Sequence, residues 1–275
     1  MNTNNYAELA ERARRIRINA LKAIHAAKSG HPGGSLSAAD IIATLYFEVL
    51  NIDPQEPEKA DRDKFIISKG HAVPALYAAL GERGFYDVDD MMTLRQVDSR
   101  FQGHPNMHKV PGIEMSTGSL GQGFSAAVGM AIAGKIDNNP GRVYVLAGDG
   151  ELQEGIVWEA AMQAAHRHLD NLVAIVDLNG LQIDGKVSDV KEVGPVDEKF
   201  KSFGWNVIVV NGHNYEELIR AFAEAKECKT APTAIIAHTH KGKGVSFMED
   251  NAGWHGKAPG DEQYEQAMAE LAKEA

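Results

Sequence analysis

The chain reads as an α/β protein with a parallel sheet covered by helices on both faces. Two observations carry that reading. Five short apolar runs, rich in β-branched residues, recur along the chain: Phe65–Ile67, Val143–Ala147, Leu172–Val176, Val207–Val210 and Ala234–Ala237. Helical segments at 74–83, 121–136, 155–167, 195–203 and 214–227 alternate with them. Strands that alternate with helices pair in parallel and are buried on both sides. Composition agrees: 275 residues, 44% hydrophobic and 24% charged, suffice for one sizeable globular core.

The elements follow in order. Residues 6–27 place Leu9, Ala13, Ile16, Ala20, Ile24 and Ala27 at spacings of three and four, the pattern of an amphipathic helix. Arg12, Arg14, Arg15 and Arg17 read as its solvated face. Ser29-Gly30-His31-Pro32-Gly33-Gly34 breaks that helix, and Ser37 to Val49 resumes a helical pattern. Asn51–Asp63 and Asp98–Ile113 read as long loops, and a long loop rich in Gly, Pro and His is often functional. Residues 261–273 read as a last surface helix.

Composition also bounds function. The net charge of −10 argues against nonspecific nucleic-acid binding. No apolar run reaches the ~18 residues of a membrane span. The polar start MNTNNYAELAERARRIR shows no signal peptide, and a single cysteine, Cys228, excludes an internal disulfide framework. The expectation is a cytoplasmic protein.

The most informative segment is Val143 to Leu181. A buried strand ends in Gly148-Asp149-Gly150, a helix runs from about Leu152 to Arg167, and the next strand closes in Asp177-Leu178-Asn179-Gly180. Between Gly150 and Asn179 lie 28 residues, the length of one crossover helix and one parallel strand. Asp149 and Asn179 therefore belong at the carboxyl ends of neighbouring strands, the ligand-binding edge of open α/β sheets. A carboxylate and an amide oxygen suit a hard divalent ion. Gly148 and Gly150 leave room for a phosphate, and the following helix offers it backbone N–H groups. A plain helix-capping turn is the simpler alternative for Gly-Asp-Gly by itself.

Gly-Asp-Gly with an Asn at this spacing resembles the thiamine diphosphate motif. Six further elements, in family order from residue 29 to 257, resemble transketolases: Ser29-Gly30-His31-Pro32-Gly33-Gly34, Ser68-Lys69-Gly70-His71, Gly103-His104-Pro105, Ser116-Thr117-Gly118-Ser119-Leu120-Gly121-Gln122-Gly123, Lys241-Gly242-Lys243-Gly244 and Trp254-His255-Gly256-Lys257. Ser119 stands where that family usually has Pro. The resemblance implies Mg2+, with Ca2+ or Mn2+ as substitutes, held by Asp149, Asn179 and the Leu181 carbonyl. It implies cofactor contacts from His71, Gly118, Leu120, Asp149, Gly150, Asn179, Lys241 and His255. It assigns His31, His71, His104 and His255 to proton movement, with His31, His104 and His255 toward substrate. Lys69 and Lys241 would add positive charge, although a lysine taken singly reads as solvated. Glu154 and Glu159 read either as an exposed helix face or, by resemblance, as a dimer interface. His25, His166, His168 and His213 read as structural histidines in helices or strands, and His238 and His240 as a strand end.

The resemblance covers the family's amino-terminal, diphosphate-binding domain, residues 1–275, with no pyrimidine or carboxy-terminal domain. It implies two-carbon ketol transfer between a ketose phosphate and an aldose phosphate, as in the pentose phosphate pathway. The active form would require a second subunit carrying the missing domains, in a heterotetramer with two copies of each chain. Open alternatives are a split transketolase for apulose 4-phosphate or sulfofructose, the α subunit of a 2-oxo acid dehydrogenase E1, a deoxyxylulose-phosphate synthase, and a noncatalytic subunit. A plain dinucleotide-binding protein is disfavoured, because the chain lacks the G-x-G-x-x-G that such proteins carry after their first strand.

Overall fold

The computed structural model describes residues 3–273. Its strands are β1 (Lys64–Ile67), β2 (Val143–Gly148), β3 (Leu172–Leu178), β4 (Leu181–Gln182), β5 (Gly185–Lys186), β6 (Asn206–Asn211) and β7 (Thr233–His238). Its helices are α1 (Thr3–Ala27), α2 (Pro32–Thr44), α3 (Val73–Arg83), α4 (Gln122–Ile136), α5 (Gly155–His166), α6 (Val187–Val190), α7 (Val196–Ser202), α8 (Tyr215–Glu227) and α9 (Asp261–Leu271). Five strands form one all-parallel sheet in the order β1-β2-β3-β7-β6, and β4 and β5 make a small antiparallel hairpin.

Period-two alternation divides the strands between two cores. Tyr144, Leu146, Val173 and Ile175 face α1, α2, α3 and α8. Val145, Ala147, Ala174 and Val176 face α4, α5 and α7. Both faces of the central strands are thus covered, as their continuous apolar runs require. The register pairs Gly148 with Asp177, so Asp149 and Asn179 leave the sheet side by side. The ends of β1 and β7 deliver Lys69 and Lys241 to the same edge.

Four local readings are corrected. Helix α2 starts at Pro32, not Ser37, because proline at the first helical position loses only an N–H that would be orphaned anyway. After Asp149 the chain makes a tight 3-10 turn, Gly150–Gln153, and α5 begins only at Gly155. His168 and His213 lie in turns rather than in helices or strands. Arg17 is buried rather than solvated, and makes a two-pronged contact with buried Asp40 at 2.6 and 3.2 Å.

That pair is the centre of a polar knot. Tyr215 Oη donates to Asp40 at 2.5 Å and His213 Nδ1 donates to it at 2.6 Å. The other nitrogen of His213 accepts the His240 N–H at 2.9 Å, which ties α1, α2 and α8 to the loop after β7. Burial opposes the Asp40 charge, but Arg17 and His213 outweigh it and hold the carboxyl well below the ordinary range. A carboxyl with a depressed folded value stabilises fully above its unfolded value, ~4, and loses that contribution as pH falls below it. The stability gap between wild type and Asp40→Asn should therefore shrink on acidification below about pH 4 in urea titrations. Arg17→Ala takes the guanidinium from a buried carboxylate, leaving it the His213 and Tyr215 donors, and should cost about 3–5 kcal/mol by the same measurement. A loss under about 1 kcal/mol, typical of a surface pair, would contradict the buried-pair reading.

Candidate active site

The strand ends and the loop preceding α2 enclose a cavity of about 330 Å3. It gathers His31, His71, His104, His255, Gly118, Leu120, Asp149, Gly150, Asn179, Leu181, Lys241 and Glu154. Glu159 does not line it and is exposed on α5. Lys69 and Lys241 are both almost fully buried, against the solvated default for a lone lysine.

The four histidines form one cluster. Ring centroids lie 5.3 Å apart for His31 and His71, 5.5 Å for His31 and His255, 4.8 Å for His71 and His255, and 6.1 Å for His31 and His104. Burial and the Arg95 guanidinium push His31 down to about 4. Burial and Lys241 push His255 down to about 3. Burial and Lys69 hold His71 well below its ordinary value, and burial and Arg95 lower His104. All four rings are therefore neutral near pH 7, each with one N–H to donate and one nitrogen to accept.

The oxygen donors line the same cavity. Asp149 accepts the N–H of Gly150 at 2.8 Å and of Gly180 at 2.5 Å. Asn179 Oδ1 accepts the Leu181 N–H at 3.1 Å, while its Nδ2 donates to Asp177 at 3.3 Å. The Leu181 carbonyl accepts from Lys241 Nζ at 3.1 Å. Burial and nearby Asp177 push Asp149 up to about 6, and burial and Lys69 push Lys241 down to about 8.

These residues fit a diphosphate and a hard cation. A carboxylate, an amide oxygen and a backbone carbonyl are the donor types Mg2+ prefers. Among the described residues no three His, Cys, Asp or Glu side chains form a softer metal cluster. His255 Nδ1 is buried without a partner, and a Cβ on Gly34 would stand 3.3 Å from His71 Nε2. An orphaned ring nitrogen and a backbone without side-chain bulk suit a polar ligand drawn close.

Four residues at or beside the cavity escape the sequence reading. Asp177 is fully buried and pairs with Lys69, so the Lys69 ammonium serves that carboxylate. Glu151 is buried beside Asp149 and accepts from Ser68, Gly121 and Gly148. Ile183 lines the rim on the β4–β5 hairpin, and Arg95 reaches His31 Nδ1 at 3.5 Å. A charged residue at the end of an apolar strand is the available signal for Asp177; for Glu151 it is adjacency to Gly-Asp-Gly.

Residues 9–274 match the family model described as "Transketolase, thiamine diphosphate binding domain". The chain belongs to the transketolase family. This transketolase domain is 43% identical to the 6-deoxy-6-sulfo-D-fructose transketolase subunit SqwG of Clostridium sp. (strain MSTE9), over 97% of each chain. It is 43% identical to an apulose-4-phosphate transketolase subunit of Phocaeicola vulgatus, over 97% of this chain and 94% of that one. It is 44% identical to human transketolase but spans only 42% of that protein. Its fold superposes on Campylobacter jejuni transketolase with a TM-score of 0.91 at 36% identity, covering 99% of this chain and 43% of that one.

The electrostatics of this transketolase domain are directly measurable. In an NMR titration His31 should protonate near 4 rather than at the ordinary 6.5, and Arg95→Ala should move it upward. An unmoved His31 in that variant would show that Arg95 exerts no charge on it.

Proposed function

We propose that the chain is the diphosphate-binding subunit of a transketolase assembled from two polypeptides. One observation carries this reading: Asp149, Asn179 and Leu181 line one cavity with His31, His71, His104 and His255. Asp149, Asn179 and the Leu181 carbonyl would hold Mg2+, and Lys241 with the Gly150 backbone would hold the diphosphate. Gly118 and Leu120 would offer backbone contacts to the cofactor ring. Thiamine diphosphate, when bound, supplies a nucleophilic carbon that a ketose carbonyl can receive. His31, His104 and His255 would hold sugar hydroxyls and carry protons, which neutral imidazoles do near pH 7.

The relatives support a partner. Two proteins of matching length are named as transketolase subunits, whereas human transketolase is more than twice as long. Helix α4 supports it independently: its sequence QGFSAAVGMAIAGKI is apolar on all sides, yet Ile136 is 73% exposed and Gly129 faces open space. A helix apolar all round belongs in an interior or an interface. Glu154 and Glu159, on and before α5 next to it, would join that contact in an assembly with two copies of each subunit. The substrates would be anionic ketoses and aldoses; sugar phosphates and sulfonated sugars both fit, as the two relatives' names indicate. The family match favours transketolase over the 2-oxo acid dehydrogenase and deoxyxylulose-phosphate synthase alternatives. A single cysteine, with no disulfide to keep oxidised, supports a cytoplasmic assignment. No helix among the described residues is long and apolar enough to cross a membrane.

The test is reconstitution. The chain with its partner subunit should bind thiamine diphosphate and Mg2+ by calorimetry and transfer ketol units from xylulose 5-phosphate to ribose 5-phosphate. The chain by itself should turn nothing over, and Asp149→Ala should abolish cofactor uptake in the mixture. Full turnover by the single chain would refute the two-polypeptide reading; no cofactor uptake in either sample would refute the thiamine reading.

A further inference from the structure

We propose that Glu151 is a positioning residue that fastens the glycine-rich loop 117–121 to the rigid edge of the sheet. Its carboxylate has three donors from three separate segments. One oxygen accepts the Gly121 N–H at 2.8 Å and the Ser68 hydroxyl at 2.5 Å; the other accepts the Gly148 N–H at 3.1 Å. Gly148 ends β2, where the sheet register fixes it. The carboxylate therefore transmits that fixed position to a loop with no strand or helix of its own.

The same contact caps a helix. Gly121 is the N-cap of α4 and has no side chain with which to cap it. Ser68, from the end of β1, takes over: its hydroxyl accepts the Phe124 N–H at 2.9 Å while donating to Glu151. Two of the otherwise orphaned donors at the start of α4, Gly121 and Phe124, are thus satisfied from outside the helix. Thr117 pins the far end of the loop, donating to the Ile67 carbonyl at 2.7 Å.

The loop has little freedom once fastened. Gly121 sits at φ 81, and a Cβ there would lie 2.6 Å from Ile156. A Cβ on Gly123 would lie 2.8 Å from the Ser68 backbone. Glycines at these points let the loop lie flat against the sheet edge, and Glu151 keeps it there. A residue present for packing alone would be apolar; a buried carboxylate with three donors on two oxygens specifies direction. Among the described residues Glu151 has no direct ion-pair partner, and its hydrogen bonds come from two backbone N–H groups and one hydroxyl.

This inference rests on the thiamine reading only where the loop meets the cofactor ring. The experiment compares wild type, Glu151→Gln and Ser68→Ala in the full chain, by itself and with the partner subunit. Hydrogen exchange is followed at 117–124, and Mg2+ with either thiamine diphosphate or inorganic pyrophosphate is titrated by calorimetry. An amide at position 151 sets its NH2 against either the Gly121 or the Gly148 N–H, and on either side the tie between the loop and β2 is broken, so exchange at 117–124 should quicken by about tenfold or more. Thiamine diphosphate should bind about tenfold more weakly, while pyrophosphate, which lacks the ring, should change by less than about twofold. Ser68→Ala, which leaves the carboxylate intact, should give a smaller change in the same direction, and it decides the question if Glu151→Gln fails to fold. Unchanged exchange in both variants, or equal loss for both ligands, would overturn the proposal. A wild type that takes up neither ligand in either form refutes the thiamine reading, and the exchange comparison then decides the anchor by itself.

Discussion

Asp177 stands at the end of β3 with no exposure to solvent, and four elements meet on its carboxylate. Ser37 of α2 donates to it at 2.6 Å, Lys69 pairs with it from the end of β1, and the Thr239 hydroxyl reaches it from the end of β7. Asn179, two residues on, directs its amide nitrogen to the same group. Burial opposes the charge, but Lys69 and the two hydroxyls hold the carboxyl below the ordinary range. Such a buried pair is a weak source of net stability, since desolvation consumes most of the attraction. What it provides is orientation. With its nitrogen engaged by Asp177, the Asn179 amide turns its oxygen to the Leu181 N–H, and Lys69 also grips the Gly34 carbonyl at 3.0 Å in the first turn of α2. The start of α2 and the ends of β1, β3 and β7 are thus held to one group.

An acidic chain builds an anion site by local means. The net charge of −10 is unfavourable to a diphosphate at long range, but a Debye length of about 8 Å confines that penalty to nearby charges. Within the cavity wall the cations are Lys69, which is paired with Asp177, and Lys241, whose ammonium rests on the Leu181 carbonyl. Keeping the histidines neutral has a complementary effect: an uncharged ring can hold a hydroxyl without competing for the phosphates.

Much of the fold, and of which residues it gathers at the cavity, is legible in the sequence. The five apolar runs are the five strands of the sheet, because strands covered on both faces need unbroken apolar sequence. Crossover length by itself places Asp149 and Asn179, and glycine neighbours single out the four loop histidines. Burial of charge is not legible. Helical spacing sets Arg17 on the apolar stripe, four residues after Ala13 and three before Ala20, but its partner Asp40 lies on another helix; Arg15 is half exposed and pairs with Glu82. Lys69, Asp177 and Glu151 gain their roles from partners dozens of residues away. The start of α2 is hidden because Pro and Gly usually stop helices, whereas here they open one.

The sheet order has a kinetic side. Strand β7 inserts between β3 and β6, so the central pairing joins Val173 to Thr233, and the cavity then closes with His31 against His255. Contacts this distant in sequence require large loops to close before any pairing is gained, which slows folding. On a ribosome the amino-terminal half would emerge with His31, His71 and His104 made, but before Asp149, Asn179, Lys241 and His255 that share the cavity with them. The pocket becomes a pocket only after nearly the whole chain is available, so cofactor uptake reports a finished molecule and not a partly made one.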